Sequence, residues 1–321
     1  MYKNINSNKR GKINMKTFIT GHKSPDTDSI ASALVMADLE KKLGNTNEII
    51  ACRLGNLNKE TEYALNYFKV EAPVLIDSVS EANEVILVDH NSFAQNVPDI
   101  ASAKITKVVD HHCISGFETA EPLFYMAQPV GSTCTILYEL YKMNNIEIEP
   151  IYAGLMLSAI VSDTLLFKSP TCTEKDITTA NSLAEIANVD INTYGLDMLK
   201  AGTDLSSFTA EELINIDSKE FNANGAKFQI AQVNTVDIDS VLENKSEIES
   251  AMNNLISSNG LDLFVFAITD ILNSNSKAIV LGNRVNAVEK AYNLTVEDNL
   301  AFLPGVVSRK KQILPVITAN I

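Results

Sequence analysis

The chain has 321 residues, roughly twice the length of a typical domain, and its 45% hydrophobic and 21% charged content fits two folded domains rather than a disordered chain. With 26 Lys and Arg against 40 Asp and Glu, the net charge is −14, which argues against long nucleic acid as a partner unless a local basic site or a bound metal intervenes. The longest apolar run, 151–167, is too short for a bilayer and carries Ser158, Ser162 and Asp163, so no membrane span is expected.

In chain order, the polar and basic run 1–14 reads as a disordered leader without a secretory signal. From Lys16 to about Lys200, short apolar runs alternate with helical patterns, the signature of a mainly parallel sheet with covering helices. Strands are predicted at Thr17–Thr20, Ile49–Cys52, Val85–Asp89 and Ile105–Asp110. Helices are predicted at Ser29–Leu43, with Ser29 as N-cap, and at Glu60–Phe68. From Ser132 to Leu199 the pattern turns mostly helical, with a buried helix at Ile151–Val161, a break at Pro170, and Thr171 or Thr173 as the cap of the next helix. Gly202–Thr209 has no periodicity and reads as a linker between a first domain, 15–201, and a smaller second one, 210–321. The second domain shows strands at Lys227–Val233, Leu261–Thr269 and Ala278–Gly282 and a helix at Asp239–Ser257, so both domains are α/β. The scattered Cys52, Cys113, Cys134 and Cys172 form no C-x-x-C pair and suit reduced thiols in a cytoplasm.

All four histidines, His22, His90, His111 and His112, lie within four positions of an aspartate at the end of a predicted strand. The loops leaving the carboxyl ends of parallel strands share one edge, where ligands bind, so the three runs are expected to converge. Asp26, Asp28 and Asp89 would then lie close together, and carboxylates that close require compensating cations. Asp163, at the end of an apolar helix, joins them because an isolated buried carboxylate is costly. Carboxylates mixed with imidazoles, and no thiolate, suit Mn²⁺ first, with Co²⁺ or Zn²⁺ as alternatives, better than Mg²⁺. Four aspartates and two histidines are too many for one such ion and suit two, an arrangement that serves phosphoester or phosphoanhydride hydrolysis. His90 and Asp110, on the opposite side of the strand alternation from Asp89 and His111, are expected to support the ligands from behind.

The motifs G-H-x-x-P-D-x-D-S at 21–29, V-D-H-N at 88–91 and D-H-H at 110–112 resemble the DHH phosphoesterases, and Gly305–Gln312 (G-V-V-S-R-K-K-Q) resembles the family II, manganese-dependent inorganic pyrophosphatases. The resemblance runs from about Met15 to Pro315. It implies that His22, Asp26 and Asp89 hold one metal and Asp28, Asp89, His111 and Asp163 the other, with Asp89 shared and a bridging hydroxide as nucleophile. It also implies that His112, Lys200, Arg309 and Lys310 bind the phosphates of pyrophosphate. Taken without it, Lys200 reads as a helix-end lysine and Arg309–Lys311 as a surface charge run. A further implication is an active site in the cleft between the two domains, with the linker as hinge, Mg²⁺ accompanying the substrate, and a homodimer.

Two rival readings compete with this one. A DHH exonuclease or cyclic-dinucleotide phosphodiesterase would share the first-domain motifs, but such relatives carry a glycine-rich motif with a histidine near the C-terminus, and this chain has no histidine after His112. A phosphate-binding regulatory module would be expected to have lost a ligand or an anion-binding residue, and none is missing.

Overall fold

The computed structural model describes residues 15–321, so the predicted leader 1–14 lies outside the described residues. The chain forms two compact units, divided between Gly195 and Leu196.

The first unit contains strands β1 (Lys16–Thr20), β2 (Glu48–Arg53), β3 (Val74–Leu75), β4 (Glu84–Val88), β5 (Ile105–Asp110) and β6 (Phe124–Ala127). Its helices are α1 (Thr27–Lys42), α2 (Lys59–Phe68), α3 (Thr133–Met143), α4 (Pro150–Asp163) and α5 (Glu174–Ala187), and α6 (Ile191–Gly202) carries the chain into the second unit. The six strands form one sheet in the order β3-β2-β1-β4-β5-β6, parallel at every pairing. The buried runs Phe18–Thr20, Val85–Val88 and Val108–Asp110 explain the absence of a clean alternation, because a parallel sheet is covered on both faces. In this order the winding reverses between β1 and β4, and the crevice at such a switch point lies at the carboxyl ends of the strands.

Two helix starts show how local chemistry set the elements. Pro150 stands in the first turn of α4, where its missing N–H costs nothing. Thr173 caps α5 through a reciprocal capping box with Asp176, which selects Thr173 over Thr171. The expected N-cap Ser29 is corrected: α1 begins two residues earlier, and its cap is Asp26, whose carboxylate accepts the Ser29 N–H. Aspartate and serine cap equally well, and the extended backbone of Asp26 places it in the capping position.

The second unit is a mixed sheet in the order β11-β10-β9-β8-β7, formed by β7 (Ser218–Ala223), β8 (Ala226–Thr235), β9 (Leu263–Asp270), β10 (Asn275–Gly282) and β11 (Leu300–Pro304). Only β8 and β9 run parallel. One face is covered by α7 (Ala210–Leu213), α8 (Ile238–Leu242) and α9 (Lys245–Asn259), the other by α10 (Asn286–Tyr292) and α11 (Leu314–Asn320), giving two apolar layers. The single helix expected at Asp239–Ser257 is two helices. The Glu243 and Asn244 N–H groups close the first onto Asp239 and Val241, and the Ile248 N–H opens the next from Asn244. Val241, Ile248 and Met252 still enter one core cluster, which is why the apolar spacing reads through the break.

Among the described residues, no helix is long and apolar enough to cross a membrane.

Candidate metal centre

Three strand ends and one helix end of the first unit build a single cluster. After β1, Gly21 lets the chain pass close to α1, where an added Cβ would stand 1.8 Å from Ser29 Oγ, the atom that accepts the His22 N–H at 3.0 Å. Asp26 and Asp28 occupy the cap and first turn of α1, where the positive end of the helix dipole favours carboxylates. Asp89 leaves β4 with φ +59°, a left-handed conformation that costs a non-glycine residue about 1–3 kcal/mol and is typical of functional sites. His111 and His112 follow β5 directly, and Asp163 is the last residue of α4.

Asp89 stands in the middle. Its Oδ2 lies 3.3 Å from His22 Nε2, which is itself 3.4 Å from Asp26 Oδ2. Its Oδ1 lies 3.4 Å from His111 Nε2, which is 3.9 Å from Asp28 Oδ2 and 3.8 Å from Asp163 Oδ2. Three donor groups with metal-ligand spacing result among the described residues, all containing Asp89: the pair His22/Asp26/Asp89 and Asp28/Asp89/His111/Asp163, which have only Asp89 in common, and Asp89/His111/His112, which overlaps the second. His112 stands beside them, with Nδ1 3.7 Å from Asp89 Oδ1.

The surrounding groups fix how these donors point. His22 Nδ1 donates to Lys23 O at 2.7 Å and His111 Nδ1 to Val130 O at 3.0 Å, so each ring turns Nε2 toward the carboxylates. Asp28 is fully buried and held on both oxygens, by the Thr133 N–H at 2.6 Å on one and by Ser32 Oγ and the Cys134 N–H on the other. Thr133 Oγ1 also donates to Asp89 Oδ1. Behind the cluster, His90 links Val88 O to Asn96, which reaches Thr20, and Asp110 accepts from His112 Nδ1 at 2.9 Å and from Asn91. Ser132, Thr133 and Cys134 are the functional neighbours that sequence reasoning missed. The signal was the Gly-Ser-Thr run before an apolar helical pattern, which marks a helix N-terminus.

The cluster demands positive charge. Burial first, and the Asp89 charge second, push the Asp28 carboxyl up to about 6. Burial and then Asp28 push Asp163 well above the carboxylate range. At His22 burial opposes protonation, yet Asp26 and Asp89 outweigh it and lift the imidazole to about 11, and Asp89 and Asp28 lift His111 to about 9 in the same way. Burial alone would raise Asp89, but the facing imidazoles hold it below the usual carboxylate range. Buried Asp89 Oδ2 has no hydrogen-bond partner. An unpaired oxygen facing imidazole nitrogens that present lone pairs when neutral is the environment that a cation resolves. The donor set of carboxylates and imidazoles therefore fits Mn²⁺.

The other expected site residues belong to the second unit. Lys200, exposed near the end of α6, pairs with Asp237 at 2.9 Å. Arg309 opens a π-helical turn, Arg309–Ile313, capped by Ser308. Its guanidinium pairs with Asp217 at 2.7 Å and donates to the carbonyls of Asp217 and Ile230. Lys310 beside it is exposed.

The DHH family N-terminal domain matches residues 16–160 and the DHHA2 domain matches residues 196–320, which puts the chain in the class of two-domain DHH proteins. A probable manganese-dependent inorganic pyrophosphatase of Exiguobacterium sp. is 58% identical over 301 residues, covering 94% of this chain and 97% of that protein. The manganese-dependent inorganic pyrophosphatase of Bacillus subtilis is 55% identical over 304 residues, covering 94% and 98%. A Methanococcus jannaschii crystal structure assigned to the family II inorganic pyrophosphatases superposes with TM-score 0.59 at 43% identity, covering 95% of this chain and 99% of that one. The chain belongs to the manganese-dependent inorganic pyrophosphatase family.

Proposed function

We propose that the chain hydrolyses inorganic pyrophosphate to two orthophosphates. The observation that carries this reading is the pair of donor groups meeting at Asp89. His22, Asp26 and Asp89 would hold one Mn²⁺ and Asp28, Asp89, His111 and Asp163 a second, with Co²⁺ as a substitute and Mg²⁺ arriving with the substrate. Two such ions, when bound, acidify a water and neutralise charge on phosphoryl oxygens.

The chain's own residues have separate tasks in this reading. Asp28 and Asp89 are oriented by the first turn of α3, so the centre is formed before substrate arrives. Asp110 holds the His112 ring in one orientation at the edge of the cluster. Arg309 offers a planar fork and Lys200 and Lys310 point charges for phosphate oxygens, which suits a small polyanion on a chain of net charge −14. These three belong to the second unit, and 202–209 is the linker in this reading. The name of the Bacillus subtilis relative supports the substrate and the metal. A cytoplasmic homodimer completes the proposal.

The test is phosphate release after chelation, comparing Mn²⁺ with Mg²⁺ alone and running a short oligonucleotide and a cyclic dinucleotide in parallel. Fast release from pyrophosphate alone, stimulated by Mn²⁺, is expected. Release of nucleotides in its place would transfer the chain to the nuclease branch.

A further inference from the structure

In the second unit, three neighbouring strands each carry one polar residue where their apolar face predicts another aliphatic. Phe228 and Ile230 of β8 are followed at the same spacing by Gln232, Val265 and Ala267 of β9 by Thr269, and Val280 and Ala278 of β10, read backwards, by Ser276. All three polar residues are buried. Such a row is costly unless every group is satisfied, and here each one is. Gln232 Nε2 donates to Thr269 Oγ1 at 2.8 Å, Thr269 and Ser276 hydroxyls meet at 2.8 Å across directly paired strand positions, and Ser276 Oγ donates to Val306 O at 2.7 Å. Since Ser276 spends its proton on Val306, Thr269 donates to Ser276, and the bonds run in one direction across the sheet.

The row is fastened to one loop. Gln232 Oε1 accepts the Arg309 N–H at 2.8 Å, and Gln232 Nε2 also donates to Val307 O at 3.0 Å. On the other side of the loop, Gln312 accepts the N–H groups of Val307 and Ser308 and donates to Gly305 O. The main chain from Gly305 to Arg309 is therefore tied down both from the sheet and from the π-helical turn.

We propose that Gln232, Thr269 and Ser276 are positioning residues for phosphate binding, holding the main chain at Arg309 so that its guanidinium meets the substrate in a fixed place. This inference rests on the reading of Arg309 as a phosphate ligand. A misplaced ligand raises KM when it grips substrate and transition state alike, and two residues acting through the same contact are not additive.

The experiment measures kcat, KM for pyrophosphate and Mn²⁺ affinity by calorimetry in Arg309→Ala, Gln232→Leu, Thr269→Val, Thr269→Ser and the Gln232→Leu/Arg309→Ala double variant. Gln232→Leu is expected to raise KM about tenfold, with kcat within about twofold and Mn²⁺ affinity unchanged. The double variant should have the KM of Arg309→Ala, and Thr269→Ser, which keeps the hydroxyl, should behave as the unaltered chain. An unchanged KM in folded Gln232→Leu, or KM effects that multiply in the double variant, would overturn the proposal while leaving Arg309 as a ligand. An unchanged KM in Arg309→Ala would instead remove the reading beneath it. If Gln232→Leu does not fold, the near-isosteric Thr269→Val, paired with Arg309→Ala, carries the same comparison.

Discussion

Asp89 concentrates the chemistry of the first unit in one side chain. It stands between His22 and His111, is 1% exposed, and keeps one oxygen without a hydrogen bond. Asp89→Asn keeps the shape but removes the charge that both donor groups use, so Mn²⁺ affinity should fall by at least about 10²-fold and pyrophosphate hydrolysis should be lost. Thr133→Val should be milder, with affinity down by about tenfold, because it deletes the hydroxyl on Asp89 but keeps the N–H on Asp28. Titration calorimetry with Mn²⁺ separates the two, and an Asp89→Asn protein that binds Mn²⁺ normally would refute the central role of this carboxylate. That His22, Asp26, Asp28, Asp89 and His111 would come together was legible in the sequence because metal-ligating residue types recur at the ends of predicted strands, whereas Asp163 was placed with them by the family resemblance. Thr133 was not legible, because its contribution depends on a helix N-terminus that only the tertiary fold brings against Asp28.

Whether an element could be read from the sequence depended on how much of it is buried in one pattern. The strand β4 carries a continuous apolar run and β1 and β5 shorter buried ones, whereas β3 has two exposed residues and β6 four residues of mixed exposure, leaving no periodicity to detect. The α8/α9 break was hidden for the opposite reason, since its apolar residues stay in phase across Glu243 and Asn244. Packing between elements was illegible altogether. Gly154 in α4 lies so close to Phe68 of α2 that an added Cβ would stand 2.2 Å from the ring, and that ring is itself wedged edge-on against Tyr67 at 4.9 Å and tilted against Tyr194 at 5.4 Å. Replacing a mid-helix glycine by alanine gains up to about 1 kcal/mol of helix propensity, but overpacking of this kind costs about 1–3 kcal/mol. Gly154→Ala should therefore lower the melting temperature by several degrees, and a higher melting temperature would mean that the ring retreats freely.

At the scale of the whole molecule, the metal cluster belongs to one unit and the basic residues of the second to the other. A ligand stabilises whatever folds around it, by about 2.7 kcal/mol at a hundred times its dissociation constant. Scanning calorimetry of the full chain with increasing Mn²⁺ should thus move the transition of the first unit upward and leave that of the second in place. A uniform shift of both would show that the units unfold together. The presence of two domains was legible from length, since each domain needs an apolar pattern of its own. The mixed strand directions of the second sheet were not, because pairing partners far apart in sequence leave no local trace.

The order of the ligands along the chain has a consequence during synthesis. Asp163 is the last of the six, so every donor has been translated while almost half of the polypeptide is still unmade. At typical elongation rates, the remainder takes on the order of ten seconds to translate. That interval is long compared with the folding of a single domain, so the nascent protein can capture its ions cotranslationally, before the half that carries Arg309 exists.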